Sequence, residues 1–314
     1  MPSDEAEPPP GTRERLTAAI LRTALRTLVK PALSPKVPIV WQRWWLEHLA
    51  RLMGASGGVR IEPGSAGGIK GEWIRPRPAS DAAAPVNSPA TILYLHGGGY
   101  CVGSPRTHRA LTSRLARAAA LPVFAADYRL APEHPFPGAL DDAIAAARAL
   151  AQSGPLVIAG DSAGGGLTLA TALCLRDQRI GAAAALVLVS PWADLTLTAI
   201  ADDAAKKEVM LSAAWLGGCA RHYLAGKSAL EPLASPVFAD LRGLPPTFIQ
   251  SGADELLRSD ALRVTDALVA AGIAARCEIV AAQWHAFQLH AGILPAADAA
   301  IERAARFISR ALGI

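Results

Sequence analysis

From Thr12 to Lys30 the apolar residues Leu16, Ile20, Leu21, Ala24, Leu25 and Leu28 recur at spacings of three and four, punctuated by Arg13, Arg15, Arg22 and Arg26. That period predicts an amphipathic helix. Pro31, Pro35 and Pro38 interrupt it. A second helical stretch then sets Trp41, Trp44, Trp45, Leu49, Leu52 and Met53 on one face and stops at Gly54. Ahead of both, the first eleven residues end in Pro8-Pro9-Pro10-Gly11 without any period and read as a mobile tail. Basic amphipathic helices can lie on a membrane surface or act as targeting segments. Two in tandem, separated by prolines, suit a fold-over cap packed on its own domain, and residues 1–55 are assigned to that tail and cap.

After Gly58 the pattern changes. Short β-rich runs at Ile69–Ile74, Thr91–Leu95, Val123–Ala126, Leu156–Ala159, Ala185–Val189, Thr247–Ile249 and Arg276–Val280 are followed by alanine-rich helical stretches. The helix candidates lie near His108–Ala119, Ala139–Ala151, Gly164–Arg176, Asp260–Ala271 and Ala296–Ala311. Strands alternating with helices predict βαβ units and a mostly parallel sheet covered on both faces. The interval from Ser190 to Leu244 is too long for a plain crossover. It holds its own helical stretch, roughly Ser212–Leu224, so the catalytic domain, residues 56–314, is expected to carry a cap insertion at about 195–230.

Composition narrows the classes. Half of the 314 residues are apolar and under a fifth charged, enough to build a sizeable core and too little charge for disorder as the main state. The net charge of +4 is not gathered into a Lys/Arg run interleaved with aromatics, so no nucleic-acid partner is expected. No apolar stretch reaches the ~18–20 residues of a membrane span, and no charged-then-apolar leader precedes a cleavage site. Cys101, Cys174, Cys219 and Cys277 stand far apart, which argues against a zinc knuckle or disulfide scaffold and for a reducing cytoplasm.

The strongest chemical signal is Gly160-Asp161-Ser162-Ala163-Gly164, a G-x-S-x-G string. Small neighbours around a sharp strand-to-helix turn hold a serine oxygen outward. The string alone is weak, since 17 serines and 27 glycines yield about 0.13 such matches by chance. A second match, Gly54-Ala55-Ser56-Gly57-Gly58, follows a helix instead of a strand and reads as a turn. Ser162 follows the buried run Leu156–Ala159 and opens a helix, so it is the candidate nucleophile. His96-Gly97-Gly98-Gly99 follows the strand Thr91–Leu95, where bare backbone N–H groups can approach a developing oxyanion. It lacks the G-K-[ST] ending and the dinucleotide fingerprint of a phosphate loop.

A serine needs a base, and the base a carboxylate. Among seven histidines, His285 lies in the loop after Arg276–Val280, where it can reach the C-terminal edge of a parallel sheet. His290 is read as packed or solvated, His48, His108 and His222 as helical, and His134 as part of a proline-rich turn. Asp254 follows Thr247–Ile249 through Ser251-Gly252-Ala253 and is the candidate acid. Glu255 is expected to point elsewhere, and Asp260 to cap the next helix. The order Ser162, Asp254, His285 is the one an α/β-hydrolase sheet uses.

These motifs resemble those of the hormone-sensitive-lipase-like esterases, the α/β-hydrolases with an HGGG box and a GDSAG elbow. The likeness runs from His96–Gly99 through Asp127-Tyr128-Arg129-Leu130-Ala131-Pro132-Glu133-His134-Pro135-Phe136-Pro137 and Gly160–Gly164. It continues through Ser190-Pro191-Trp192, Gly243-Leu244-Pro245-Pro246, Asp254 with Asp260, and His285-Ala286-Phe287. The resemblance implies an α/β-hydrolase fold, a mostly parallel eight-stranded sheet with helices on both faces and a helical cap. It implies hydrolysis of short to medium acyl esters, with oxyanion N–H groups from Gly98, Gly99 and Ala163, and with His96 and Gly97 supporting the loop. A homodimer is plausible on the same ground. The stretch Ala205-Lys206-Lys207-Glu208-Val209-Met210-Leu211 departs from the usual Asp-Pro pair, which leaves cap geometry and acyl-length preference open. Trp41, Trp44, Trp45, Met210, Leu211 and Trp215 are candidate pocket residues, with core packing as the alternative for each. The expected partner is a small ester; no metal, organic cofactor or stable membrane insertion is implied. Two alternatives stay open, an amidase or N-deacylase using the same triad, and a hydrolase-like ligand-binding protein without turnover.

Overall fold

The computed structural model describes residues 11–52, 54–77, 90–200 and 206–314. Most of the tail, Met53 and Ala205 therefore lie outside the described residues. The sheet holds eight strands: β1 Val59–Ala66, β2 Ile69–Pro76, β3 Thr91–Leu95, β4 Val123–Ala126, β5 Leu156–Asp161, β6 Ala185–Val189, β7 Thr247–Gly252 and β8 Ala275–Val280. Their spatial order is β1-β2-β4-β3-β5-β6-β7-β8. The first two ladders are antiparallel and the rest parallel.

The residue pattern misses β1 as a strand. Pro63 and Gly64 sit in its middle and its exposure does not alternate cleanly, which an edge strand tolerates because one side needs no ladder partner. It pairs with β2 through a turn at Gly67-Gly68, both at positive φ (58° and 81°), as a two-residue hairpin with right-handed strand twist requires.

The parallel strands are buried on both faces, which is why they read as apolar runs with no alternation. Leu93, Leu95, Ile158, Leu186 and Leu188 point into one core layer, beneath α4 (Gly138–Ala151), α5 (Ala163–Asp177) and α7 (Arg258–Ala270). Ile92, Tyr94, Val157, Val187 and Phe248 point into the other, beneath α3 (Arg109–Ala119) and α8 (Pro295–Leu312).

At the C-terminal edge of the strands lie α1 (Thr12–Ala24), a π-helical turn at Leu25–Val29, α2 (Ile39–Ala50) and α6 (Ala213–Leu224). The π turn carries the Thr12–Lys30 period past the end of α1. A small third core joins Leu25 of this turn to Val209, Trp284, Phe287 and Leu294, so the N-terminal segment is packed on the loop that carries His285.

Candidate active site

Ser162 occupies the single residue between β5 and α5, at φ 53° and ψ −122°, a conformation that side chains rarely adopt. The turn is over-determined by backbone hydrogen bonds. Ser162 N–H donates to Val189 O (2.8 Å), and Ser162 O accepts from Gly165 N (2.9 Å) and Trp192 N (2.8 Å). A Cβ at Gly164 would collide with the Leu95 carbonyl oxygen, which is the steric reason for glycine there. Ser162 and His285 line the same cavity.

The carboxylate that faces His285 is Glu255 and not Asp254. Glu255 Oε1 lies 3.9 Å from His285 Nδ1, and both side chains are buried. Glu255 also accepts from Ser190 Oγ (2.7 Å), Ser251 Oγ (2.6 Å) and Gly252 N (3.1 Å). Ser190 Oγ in turn accepts from Ala286 N (3.0 Å), tying the acid to the histidine loop. Asp254 is turned outward. Its Oδ2 accepts from Arg22 at 2.8 Å, and the same guanidinium donates to Ala282 O (2.7 Å) and lies 5.2 Å from the Trp284 ring centre. Adjacent residues point to opposite sides of this turn. Ala253 N donates to Val280 O and Asp254 N to Gln283 O, both at 2.9 Å, and these bonds decide which side is which. Asp260 does not cap its helix. It sits in the first turn of α7 and accepts from Ala193 N and Asp194 N, both at 2.9 Å, fastening the loop after β6.

Burial of His285 works to lower its pKa, but the facing Glu255 carboxylate, with Glu208 and Asp161 farther off, raises it more, and the net direction is upward. At 3.9 Å the Glu255–His285 contact is an ion-pair separation, and Nδ1 has no hydrogen-bond partner within reach.

The glycine loop is fastened from below. Gly97 N donates to Asp161 Oδ1 (3.0 Å), the residue before the elbow serine, and Tyr94 Oη donates to the same oxygen (2.8 Å). His108 Nε2 faces the Asp161 oxygens at 3.2 and 3.3 Å. Its Nδ1 lies 2.8 Å from Thr107 Oγ1 and 3.2 Å from Ser104 O. Gly97 N also donates toward His108 Nε2 (3.2 Å), so the imidazole, Asp161 and the glycine loop form one buried cluster. Burial alone would lower the pKa of His108, but Asp161 more than offsets this and moves it up. Asp161 is correspondingly low, since burial, which would raise it, is outweighed by His108 and the Tyr94 hydroxyl. Neither His108 nor Asp161 stands out in the sequence, because helical position and the x of G-x-S-x-G both read as structural. His96 stacks on Tyr128 (centroids 4.3 Å apart), its Nδ1 lies 2.7 Å from Gly97 O, and burial, with His108 nearby, lowers its pKa to about 3.

The cavity measures about 140 Å³. Of the pocket candidates, Met210, Leu211 and Trp215 line it, while Trp41 and Trp45 do not. Trp41 and Trp44 are largely exposed, and the Trp45 indole donates to Leu28 O (2.8 Å). Of the face expected to turn inward, Leu49 reaches the cavity and the three tryptophans do not. The inward face of α2 is Gln42, Leu46, Leu49 and Ala50, anchored where Gln42 Oε1 accepts from Trp215 Nε1 (2.7 Å). Leu25, Val29 and Leu33 complete the apolar wall. Glu208, in the stretch that departs from the family pattern, is buried and caps Met210 N (2.8 Å) and Leu256 N (3.1 Å), linking the insertion to the acid loop. Gly97 and Gly98 line the cavity, and a Cβ built on Gly99 would run into Cys219 and Trp215.

Residues 92–289 match the family described as alpha/beta hydrolase fold. The chain is 40% identical over 271 residues to an acetyl-hydrolase of Streptomyces hygroscopicus, covering 84% of this chain and 88% of the relative. A crystal structure of an esterase/lipase from an uncultured bacterium superposes with TM-score 0.86 at 36% identity, over 97% of this chain and all of that one. An esterase of the bacterial hormone-sensitive lipase family gives TM-score 0.85 at 34% identity, over 96% and 98%. The chain belongs to the hormone-sensitive-lipase-like esterases of the α/β-hydrolase fold. As a member of that family it is a carboxylic ester hydrolase. Among the described residues, no group of three or more His, Cys, Asp or Glu is arranged to hold a metal ion.

Proposed function

We propose that this esterase cleaves short to medium acyl esters through an acyl-enzyme on Ser162, with His285 as base and Glu255 as the carboxylate that orients it. The observation that carries the reading is Glu255 facing Nδ1 of a histidine that shares a cavity with the elbow serine. A carboxylate on the Nδ1 side favours the tautomer protonated there and leaves Nε2 to take the serine proton. Ser162 Oγ then attacks the ester carbonyl. The oxyanion is met by backbone N–H groups of Gly98, Gly99 and Ala163, the last at a helix N-terminus whose dipole favours negative charge. Protonated His285 returns its proton to the leaving alcohol and next activates water, which releases the acid. Gly97 takes no part as a donor because its N–H is committed to Asp161.

Cavity size supports the acyl range. About 140 Å³ is close to the roughly 150 Å³ of an apolar cavity that takes up benzene, which is room for about six carbons. The test is a p-nitrophenyl ester series from acetate upward, joined to organophosphate labelling. Turnover peaking at short to medium chains with the label on Ser162 supports the proposal. A label on any other serine overturns it.

A further inference from the structure

The N-terminal helices present a second surface on the side away from the cavity. Half of the large apolar side chains exposed among the described residues fall within residues 12–52. Leu16, Ile20, Leu28, Val40, Trp41 and Trp44 are between 47% and 67% exposed. They form more than a scatter of single residues. The Trp41 and Trp44 rings meet edge to face at 6.1 Å, Trp44 abuts Trp45 at 6.3 Å, and Trp45 is bonded to the carbonyl of Leu28 at the end of the first helical segment. Leu16 and Ile20 are one turn apart on the face of α1 opposite buried Leu25.

Charge is concentrated in the same segment. Residues 12–52 hold eight Lys and Arg against two Glu, a net +6, whereas the whole chain carries only +4 and the remainder is therefore −2. Arg13, Arg26, Lys36 and Arg51 are exposed. On a second copy the exposed Arg13, Arg26, Lys36 and Arg51 would meet the same four cations, so self-association through this face is disfavoured, while Arg22 and Arg43 turn inward to Asp254 and Glu133. Exposed tryptophans beside aliphatic and basic side chains match the region where lipid headgroups meet acyl chains.

We propose that the outer face of these helices docks the enzyme peripherally on anionic lipid bilayers, with Leu16, Ile20, Trp41 and Trp44 in the interface and the basic side chains on headgroup phosphates. Docking is peripheral because no described helix is long and apolar enough to span. The inner faces of these helices supply Leu25, Val29, Leu46 and Leu49 to the cavity wall, so the docked face and the site are separated by one helix layer. Esters dissolved in the bilayer would thus be concentrated beside the site.

The experiment is co-sedimentation of the full chain with vesicles of phosphatidylcholine alone and of phosphatidylcholine mixed with phosphatidylglycerol, at low and high salt. Tryptophan fluorescence is read in parallel. The expected result is binding to the mixed vesicles only, a blue shift on binding, and release by salt. Arg13→Gln with Arg26→Gln should weaken partitioning about fivefold for each charge removed. Leu16→Ser with Ile20→Ser should weaken it too, and both pairs should leave turnover of a water-soluble ester unchanged. Absence of binding, equal binding to both vesicle types, or binding insensitive to the two double variants would overturn the proposal. So would a concentration-dependent dimer that Leu16→Ser with Ile20→Ser dissociates while vesicles capture nothing, because the face would then be a protein contact.

Discussion

The Glu255 carboxylate faces Nδ1 of His285 across 3.9 Å, while the residue before it turns its own carboxylate away toward Arg22. The two acids are neighbours in sequence and part company in space, which separates their expected phenotypes. Glu255→Gln should lower kcat by orders of magnitude, up to ~10⁴ where such a change selects the wrong imidazole tautomer. Asp254→Asn should stay within about tenfold, because it loosens only the packing of the N-terminal segment. Steady-state kinetics on one soluble ester settles it, and the reverse ranking would return the role to Asp254.

The pH profile should carry the same signature. The base works only when neutral, so kcat/KM falls as pH drops through its pKa. His285 is raised by Glu255, which places the acidic limb above the ordinary imidazole value of about 6.5. Glu255→Gln removes the main source of that rise and should move the residual activity's limb downward. A limb that does not move would show that another group sets it.

Beneath the glycine loop, His108 and Asp161 form a buried pair that holds Gly97 in place. His108→Gln is expected to reduce kcat more than it raises KM, since the loop's amides lose their support where the oxyanion forms. Breaking a buried pair from one side costs about 3–5 kcal/mol, so thermal stability should fall as well. The sign with pH is fixed by the raised folded pKa of His108. Its contribution is complete below the unfolded value near 6.5 and is lost as pH rises through the folded value. The difference in Tm between wild type and His108→Gln should therefore narrow toward alkaline pH, as calorimetry across the range would show.

Arg22 is the clasp between α1 and the loops after β7 and β8, with charged hydrogen bonds to Asp254 and to Ala282 O. Arg22→Gln should cost about 1–2 kcal/mol, at the low end for such bonds because the pair is one-fifth exposed and partly screened. It should also raise KM for the longer esters more than for acetate, because Leu25 and Val29 follow on the same segment and line the cavity. A uniform change across the ester series would mean that the clasp does not shape the acyl wall.

Filling that wall tests chain length directly. Val29→Trp should cut kcat/KM for butyrate and longer esters while sparing acetate. Each methylene it excludes is worth roughly 0.8 kcal/mol, or about fourfold. An unchanged series would place the acyl chain elsewhere in the cavity.

The residue pattern was sufficient for the sheet's parallel strands, because strands buried on both faces are written as apolar runs, and for the elbow, because only small residues fit its turn. The sequence order and strand ends also put Ser162 and His285 at one edge of the sheet, where the structure has both lining one cavity. Tertiary structure decided the rest. Asp254 and Glu255 lie two and three residues past the end of β7, and the backbone bonds of their turn to Val280 and Gln283 determine which carboxylate faces the histidine. The α2 helix is apolar on more than one face, so its period could not say whether the tryptophans or Leu46 and Ala50 join Leu49 on the inward side. The bond from Trp215, 173 positions away, to Gln42 anchors that choice, and His108 likewise meets its partner Asp161 53 positions on. Local patterns encode which faces are apolar, but a partner's identity is a long-range contact that chain spacing does not carry.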